Sequence, residues 1–502
     1  MPLPENGSHF PPAGHSQHLT AMDEWSAWYS GDPDQLQAHY GAAAAVGPVR
    51  PSQRAGGVLG AVARWWWGQP SAEGEARTKL HVPLAADIAG TSADLLFSEP
   101  VSLTAKDTRL ADFFGSLADD GLHAQLHEGG EVCAALGGVY LRTTWDAEVS
   151  ERPWLDAIQP DGAFPEFRHG RLRAVNLWTQ LPEVLGGVTH RLVERHESGA
   201  ILYRLYAGTP SNVGHIVPLQ DHPDTMDLAD LVNEDGVQET LTKRLTVSYV
   251  PNMLPNRSNR RSHQGRSDFQ GVTQFFDALD EAYSSWQRDI RHAKSRLHVP
   301  AQYLDSDGPG SAGIADVDRE VYVPMEGVLA KADDGLMIQA QQFAIRHAEH
   351  AATCADWANR AVQSAGYAAS TFGEQDGTAM TAAEVQQRER RSYMTRGKKV
   401  RYWTMGLRDA LPTLVEVANA HLGAGVTLGD FGVDFGTGVQ ESQLALANTA
   451  LALRNAEAAS TETRVRMLHP GWDKTQVEAE VASILSESGG SAAVPFPGDA
   501  GL

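Results

Sequence analysis

Nineteen histidines, two cysteines and sixty-three carboxylates give this 502-residue chain the raw material for chemistry, provided that spacing gathers some of it into a site. His190 and His196 stand six apart in a β-prone run, a spacing that only hints at zinc. His9, His15 and His18 fall in a stretch rich in Pro, Gly and Ser, where no scaffold would hold them around a metal, so they read as a solvated tail. His347 and His350 sit three apart on a helical pattern with no acid or base beside them and read as surface residues. Asp305-Ser306-Asp307-Gly308 opens like a calcium loop, but the Asp-rich pattern is incomplete and the twelfth residue is Asp316 where a calcium loop has Glu. Two cysteines exclude a disulfide framework and a CxxC-type zinc site, and Cys133 and Cys354 read as buried thiols. Arg396-Gly397-Lys398-Lys399 lacks the first Gly and the Ser/Thr of a phosphate loop, and no HExxH or GxSxG occurs. Gly423-Ala424-Gly425 precedes a strand instead of following one. No catalytic residue, metal site or cofactor is therefore assigned, which favours a structural or interaction protein over an enzyme.

The cations fall in two clusters. Arg257, Arg260, Arg261 and Arg266 share a loop, and residues 388–401 are dense in Arg and Lys. Either cluster could meet phosphate or pair with an acidic neighbour. Lys and Arg number 41 against 63 Asp and Glu, a net charge of −22. So acidic a chain is a poor candidate for a tight, nonspecific nucleic-acid binder, although it could surround nucleic acid without holding it. The N-terminus, Met1-Pro2-Leu3-Pro4-Glu5-Asn6-Gly7, does not read as a signal peptide, and no apolar run approaches a membrane span. A soluble, intracellular, acidic protein is expected. Arg64-Trp65-Trp66-Trp67 suits a subunit interface or a core better than a membrane surface.

These residues must be positioned by a mixture of helices and strands. Helices are predicted over 22–40, 83–96 and 108–129, with strands over 132–145, 172–179, 189–196, 200–207 and 245–250. Glu197-Ser198-Gly199 joins two of these strands as a hairpin. Ser267-Asp268-Phe269-Gln270 fits a capping box ahead of a helix reaching Leu297, with acids early and bases late, as the helix dipole favours. Short strands and turns fill 298–335, and a second long helix spans 336–365. A small-residue loop follows at 366–378. Thr381-Ala382-Ala383-Glu384 then caps a third long helix, kinked at Pro412. A strand at 431–435 and helices over 441–458 and 474–486 close the chain, the last capped by Asp473.

This order, with its local pieces, resembles the portal protein of tailed double-stranded DNA bacteriophages, in the branch with long non-contractile tails. The pieces are Pro83–Ala89 leading into Ala93-Asp94-Leu95-Leu96-Phe97-Ser98-Glu99-Pro100; Gly137–Arg142 with Trp145-Asp146; Ser267–Leu297 with Pro300; Ala365–Gly373 followed by Thr381–Val385; and Ser460, Arg466–Pro470 and Val477–Val481. The resemblance implies an α+β fold: a mixed α/β wing, a long helical stem hairpin with a small β insertion called the clip, a long kinked helix and an α-helical C-terminal crown. Its plan would be a disordered tail over 1–20, wing over 21–266, stem helix 267–297, clip 298–335, stem helix 336–365, tunnel loop 366–380, wing helix 381–422, crown 423–487 and a disordered tail over 488–502. The clip is short, which weakens its expected role as the adaptor-docking element.

The resemblance further implies a homo-oligomeric ring, typically of twelve, at one capsid vertex of the virion. Assembled in the host cytoplasm, it would be the channel for genome packaging and ejection. Implied partners are double-stranded DNA bound without sequence specificity, the terminase, the major capsid protein and scaffold, and the head–tail adaptor, with no membrane. Tyr367, Thr371, Phe372, Glu374, Gln375 and Asp376 would line the DNA tunnel. Another virion ring, adaptor or capsid component is the alternative, followed by a soluble enzyme with an unrecognised site.

Overall fold

Gly137 decides where the first third of the chain turns from helix to strand. Residues 132–145 were expected to be strand throughout, yet helix continues to Leu136 because Leu126, Cys133 and Ala134 keep one apolar face buried. Gly137 then takes φ 91°, the left-handed geometry that glycine adopts freely, and the strand begins at Gly138. The preceding helix is also two helices, Thr108–Asp119 (α4) and Leu122–Leu136 (α5), split at Asp120-Gly121. Close packing explains Gly130: a Cβ there would lie 2.6 Å from the Phe97 ring of the helix Leu84–Phe97 (α3).

The computed structural model describes residues 3–12, 14–44, 79–182, 187–292, 296–300, 322–325, 339–341, 345–373, 382–436, 443–469, 472 and 474–489. Trp65–Trp67, the calcium-like loop, Thr381, Asp473, Glu374, Gln375, Asp376 and the last thirteen residues lie outside the described residues.

Among the described residues the strands form four sheets. A six-stranded antiparallel sheet runs β4 (Ala163–Arg168), β5 (Arg171–Gln180), β6 (Thr189–Glu197), β7 (Ala200–Thr209) and β8 (Asn212–Val217), with β9 (Val237–Glu239) also on β7. The expected β6–β7 hairpin closes with Glu197 opposite Ala200. A second sheet orders β10 (Val247–Pro251), β2 (Gly138–Thr144) and β3 (Trp154–Ile158). β1 (Ser102–Ala105) pairs with β14 (Phe431–Asp434), which ties residues after the third long helix back to the early chain.

The N-terminal residues are not a loose tail. Phe10 is buried, edge-on to Trp178 at 4.8 Å, with the Arg191 guanidinium 4.2 Å from its ring centre. Tyr206 donates to the Pro4 carbonyl, and helix begins at Ser16 (α1, Ser16–Ser30), followed by α2 (Pro33–Ala44). Polar composition concealed an aromatic anchor and a set of hydrogen bonds between Asn6, Gly7, Ser8 and Phe10 and residues 211–216, which together hold the segment. His15 and His18 likewise are not freely solvated: burial, then the charge of His15, lowers His18 to about 4.

The two central helices run Thr273–His292 (α6) and His347–Ala365 (α7). Phe275 meets Trp357 near one end, while Trp286 stacks on His350 and Asp289 binds His350 at 2.8 Å near the other, so the pair is antiparallel. His350 is accordingly a packed residue, not the surface one expected. Both helices are shorter than their patterns. Arg296–Pro300 (β11) pairs with Tyr322–Met325 (β12) and with Gln339–Gln341 (β13), drawing residues 296–297 and 339–341 into sheet. The capping box also differs: Ser267 Oγ accepts from the Phe269 N–H, while the Gln270 amide reaches Asn256 and Ser258.

The third long helix, α8 (Ala382–Leu422), carries Pro412 inside it. By contact density the chain forms two units, one of 1–378 with 387–436, the other of 379–386 with 437–502. Residues 423–436, expected in the crown, therefore belong with the first. In the second, α9 (Gln443–Asn455), α10 (Thr461–Leu468) and α11 (Lys474–Gly489) bury Ala450, Val465 and Val477, and Ser460 caps α10 through Thr463 N.

Candidate functional site

Gly366 ends α7 at φ 107°, and its N–H and that of Tyr367 return to Gln363 and Val362, a glycine-terminated helix end. The chain therefore turns back, and Tyr367 points into the protein. Its hydroxyl donates to Asp268 Oδ2 at 2.7 Å. Lys399, on α8, completes the junction: Nζ reaches Asp268 Oδ2 at 2.5 Å, Ser92 Oγ at 2.6 Å and Tyr367 Oη at 3.0 Å. An ammonium has three protons, and each has an acceptor here. Asp268 Oδ1 accepts from Asn252 Nδ2 at 2.9 Å. Lys399 and Asp268 side chains are each only 2% exposed. Burial, with the Asp268 charge second, holds the Tyr367 hydroxyl well above its ordinary pKa, so it remains a donor.

The same side of α8 stitches the start of the loop. Thr395 Oγ1 donates to the Gly366 carbonyl at 2.7 Å, and Ser392 Oγ accepts from the Ala368 N–H at 2.9 Å and meets Thr371 Oγ1 at 2.9 Å. Ser392, Thr395 and Lys399 recur at i, i+3, i+7, so one helix stripe holds one segment. Arg396, beside them, donates to the Leu95 carbonyl at 2.6 Å and the Phe435 carbonyl at 2.7 Å. It thereby satisfies a carbonyl near the end of α3.

Sequence reasoning placed six residues on a tunnel surface. Tyr367 is not on a surface: it is 1% exposed and committed to Asp268 and Lys399. A phenol whose hydroxyl finds a buried carboxylate fills the core better than it brushes a ligand. Thr371 and Phe372 are half-buried in the turn Ala369–Phe372, with Phe372 edge-on to Tyr367 at 6.2 Å. Those three form the loop's base. Asp268, Lys399, Ser392 and Thr395 were missed as a group, because Lys399 lay within a run of cations and Asp268 looked like an ordinary first-turn acid. The available signal for Ser392, Thr395 and Lys399 was their register with Trp403 and Leu407, which are buried on the same helix.

The basic clusters divide similarly. Arg257, Arg260 and Arg261 are exposed and Arg266 half-buried. Of the 388–401 cations, Arg396 and Lys399 are buried, whereas Arg390, Arg391, Lys398 and Arg401 are exposed.

The hydrogen-bonded group of His196, Glu194 and Arg142 does not line the cleft that Tyr249 and Tyr402 help to form. His196 is 1% exposed, its ring between Thr246 Oγ1 at 2.7 Å and Glu194 Oε2 at 3.4 Å, and burial lowers its pKa. Arg142 holds Glu194 at 2.9 Å and Asp156 at 2.7 Å. A cleft of about 520 Å³ lined by Phe167, His169, Arg171, Tyr249, His263 and Tyr402 includes neither Glu194 nor His196. His190 lies against the His222 ring, apart from His196. Among the described residues no group of three or more His, Cys, Asp or Glu is placed to hold a metal ion, and no helix is long and apolar enough to cross a membrane.

Residues 8–492 match the family model described as phage portal protein, SPP1 Gp6-like. The chain is similar, at 15% identity in each case, to chains of three solved particles. With the virion of a native gene transfer agent particle the TM-score is 0.36, covering 78% of this chain and 91% of that one. With the neck of an empty gene transfer agent particle computed with C6 symmetry it is 0.39, covering 78% and 90%. With the neck of a native particle computed with C12 symmetry it is 0.36, covering 77% and 89%. No curated protein matches the chain.

Proposed function

Because this chain belongs to the SPP1 Gp6-like phage portal protein family, which it matches from residue 8 to residue 492, we propose that it forms a closed ring at one capsid vertex of a virion, the channel through which double-stranded DNA enters and leaves. The family is structural and not a family of enzymes. The observation that carries this reading is the extent of the match, which runs unbroken through the helix pair, the following loop and the 41-residue helix.

In this assignment α6 and α7 are the stem, β11–β13 the clip, α8 the wing helix and α9–α11 the crown. The segment 366–380 is the tunnel loop, its base at Tyr367, Thr371 and Phe372 and its DNA-facing residues Glu374, Gln375 and Asp376. Its work is positional and electrostatic. A channel built from subunits of net charge −22 releases few counterions to DNA, so the polyanion slides instead of sticking. Terminase, capsid protein with scaffold, and a head–tail adaptor are the proposed partners, the adaptor at the clip.

Electron microscopy of the purified protein should show rings with a central channel. Replacing Glu374 and Asp376 by Lys should leave those rings intact and slow packaging several-fold. Normal packaging by that variant, and by one lacking residues 374–378, would end the tunnel-loop assignment.

A further inference from the structure

The outward side of α8 carries a stripe that its own subunit leaves unsatisfied. Arg391, Met394, Lys398, Arg401, Met405 and Arg408 recur at i, i+3, i+7, i+10, i+14 and i+17, a band about 100° wide on a helix. All six are exposed, Met394 at 57% and Met405 at 60%. Among the described residues no ion pair or side-chain hydrogen bond reaches these four cations, while Lys399 and Arg396 on the opposite side are fully engaged. Water satisfies them in the free subunit, and a surface carrying acidic groups could pair with all four at once.

The same chain offers the complement. Between β8 and β9, Asp224, Asp227, Asp230 and Glu234 are exposed and flank two exposed apolar side chains, Met226 at 53% and Leu231 at 59%. One surface is thus cationic with two methionines, the other anionic with a methionine and a leucine. Phosphate contact needs only the cations, whereas polarizable thioethers between them suit a protein surface that repacks against another. Contact between two different patches of identical subunits is head-to-tail, the arrangement that closes into rings.

We propose that the Arg391–Arg408 stripe of one subunit docks on the Asp224–Glu234 segment of a second copy of this chain. Beyond the ring assignment on which it rests, this names the two surfaces that meet. The contact brings opposite charges together where subunits of like net charge must approach, and the apolar side chains make it more than a screened ion pair.

The test is charge reversal with rescue, read as the ring fraction by native mass spectrometry and electron microscopy of the full chain in low salt. Arg391→Glu with Arg401→Glu should cut the ring fraction at least ten-fold, as should Asp227→Lys with Asp230→Lys. All four substitutions together should restore rings. All positions are exposed, so unchanged melting of each variant's subunit is expected and should be checked. Rings that persist through either reversal, or a four-fold variant that stays dissociated, would overturn the contact. Normal rings with impaired packaging in the arginine variant would assign the stripe to DNA and also overturn it. A wild-type chain that forms no rings would instead overturn the portal reading, and this contact with it.

Discussion

Lys398 and Lys399 are neighbours in sequence, about 100° apart around one helix, yet one is exposed and the other buried. Lys399 is sealed off, each proton matched to Ser92, Asp268 or Tyr367. Lys398 is exposed in the stripe with Arg391 and Arg401. The inward cation fixes four chain segments to one another, namely α3 through Ser92, the entry to α6 through Asp268, the chain just after α7 through Tyr367 and the middle of α8. The outward one contributes little to its own subunit and is free to act between subunits. A run of basic residues is thus not one feature. Burial makes some of its members parts of the fold and leaves the others on the surface, where the proposed contact would use them.

Lys399→Met tests that comparison most harshly. It leaves Asp268 buried and uncompensated, a loss of about 3–5 kcal/mol by analogy with broken buried pairs. A large drop in the denaturation midpoint is expected. Asp268→Leu added to Lys399→Met should recover most of it, because no buried charge then remains. A midpoint unchanged in the single variant would mean that water reaches the junction.

Tyr367→Phe is milder and more specific. It spares the Lys399–Asp268 pair and removes two hydrogen bonds, the one donated to Asp268 and the one accepted from Lys399, together worth about 1–3 kcal/mol. Amide exchange over residues 368–372 should accelerate several-fold while exchange in α6 stays as it was. Uniform acceleration across both would show that the hydroxyl supports the whole core and not the loop's base in particular.

The outward face should give the smallest effect on the subunit. Arg391→Ala with Arg401→Ala should move monomer stability by no more than about 0.5 kcal/mol, as for most exposed positions. A loss above about 2 kcal/mol in chemical denaturation of the isolated subunit would show hidden intrachain partners and collapse the contrast.

Periodicity made the large elements legible. The amphipathic spacing from Val272 onward, the Ala-rich face of α7, the β6–β7 hairpin and the long helix through Pro412 all formed. So did the buried state of both cysteines. Boundaries failed where a competing partner lay far away in sequence. Residues 339–341 pair with 296–298, across a separation no local pattern encodes. The N-terminal segment failed for a related reason: Phe10 gains its place from residues far along the chain, among them Phe164, Trp178 and Arg191.

The sequence by itself determined the elements, their order and the acidity of the chain, because helix and strand periods and formal charge are local or additive properties. It also carried the family, since that order with its short motifs is a linear pattern. Only the tertiary structure decided which cations are buried and that Tyr367 belongs to the core. Those outcomes depend on desolvation, and whether a charge loses its water is set by what lies across the fold: for Lys399, Ser92 and Asp268, more than a hundred residues away along the chain.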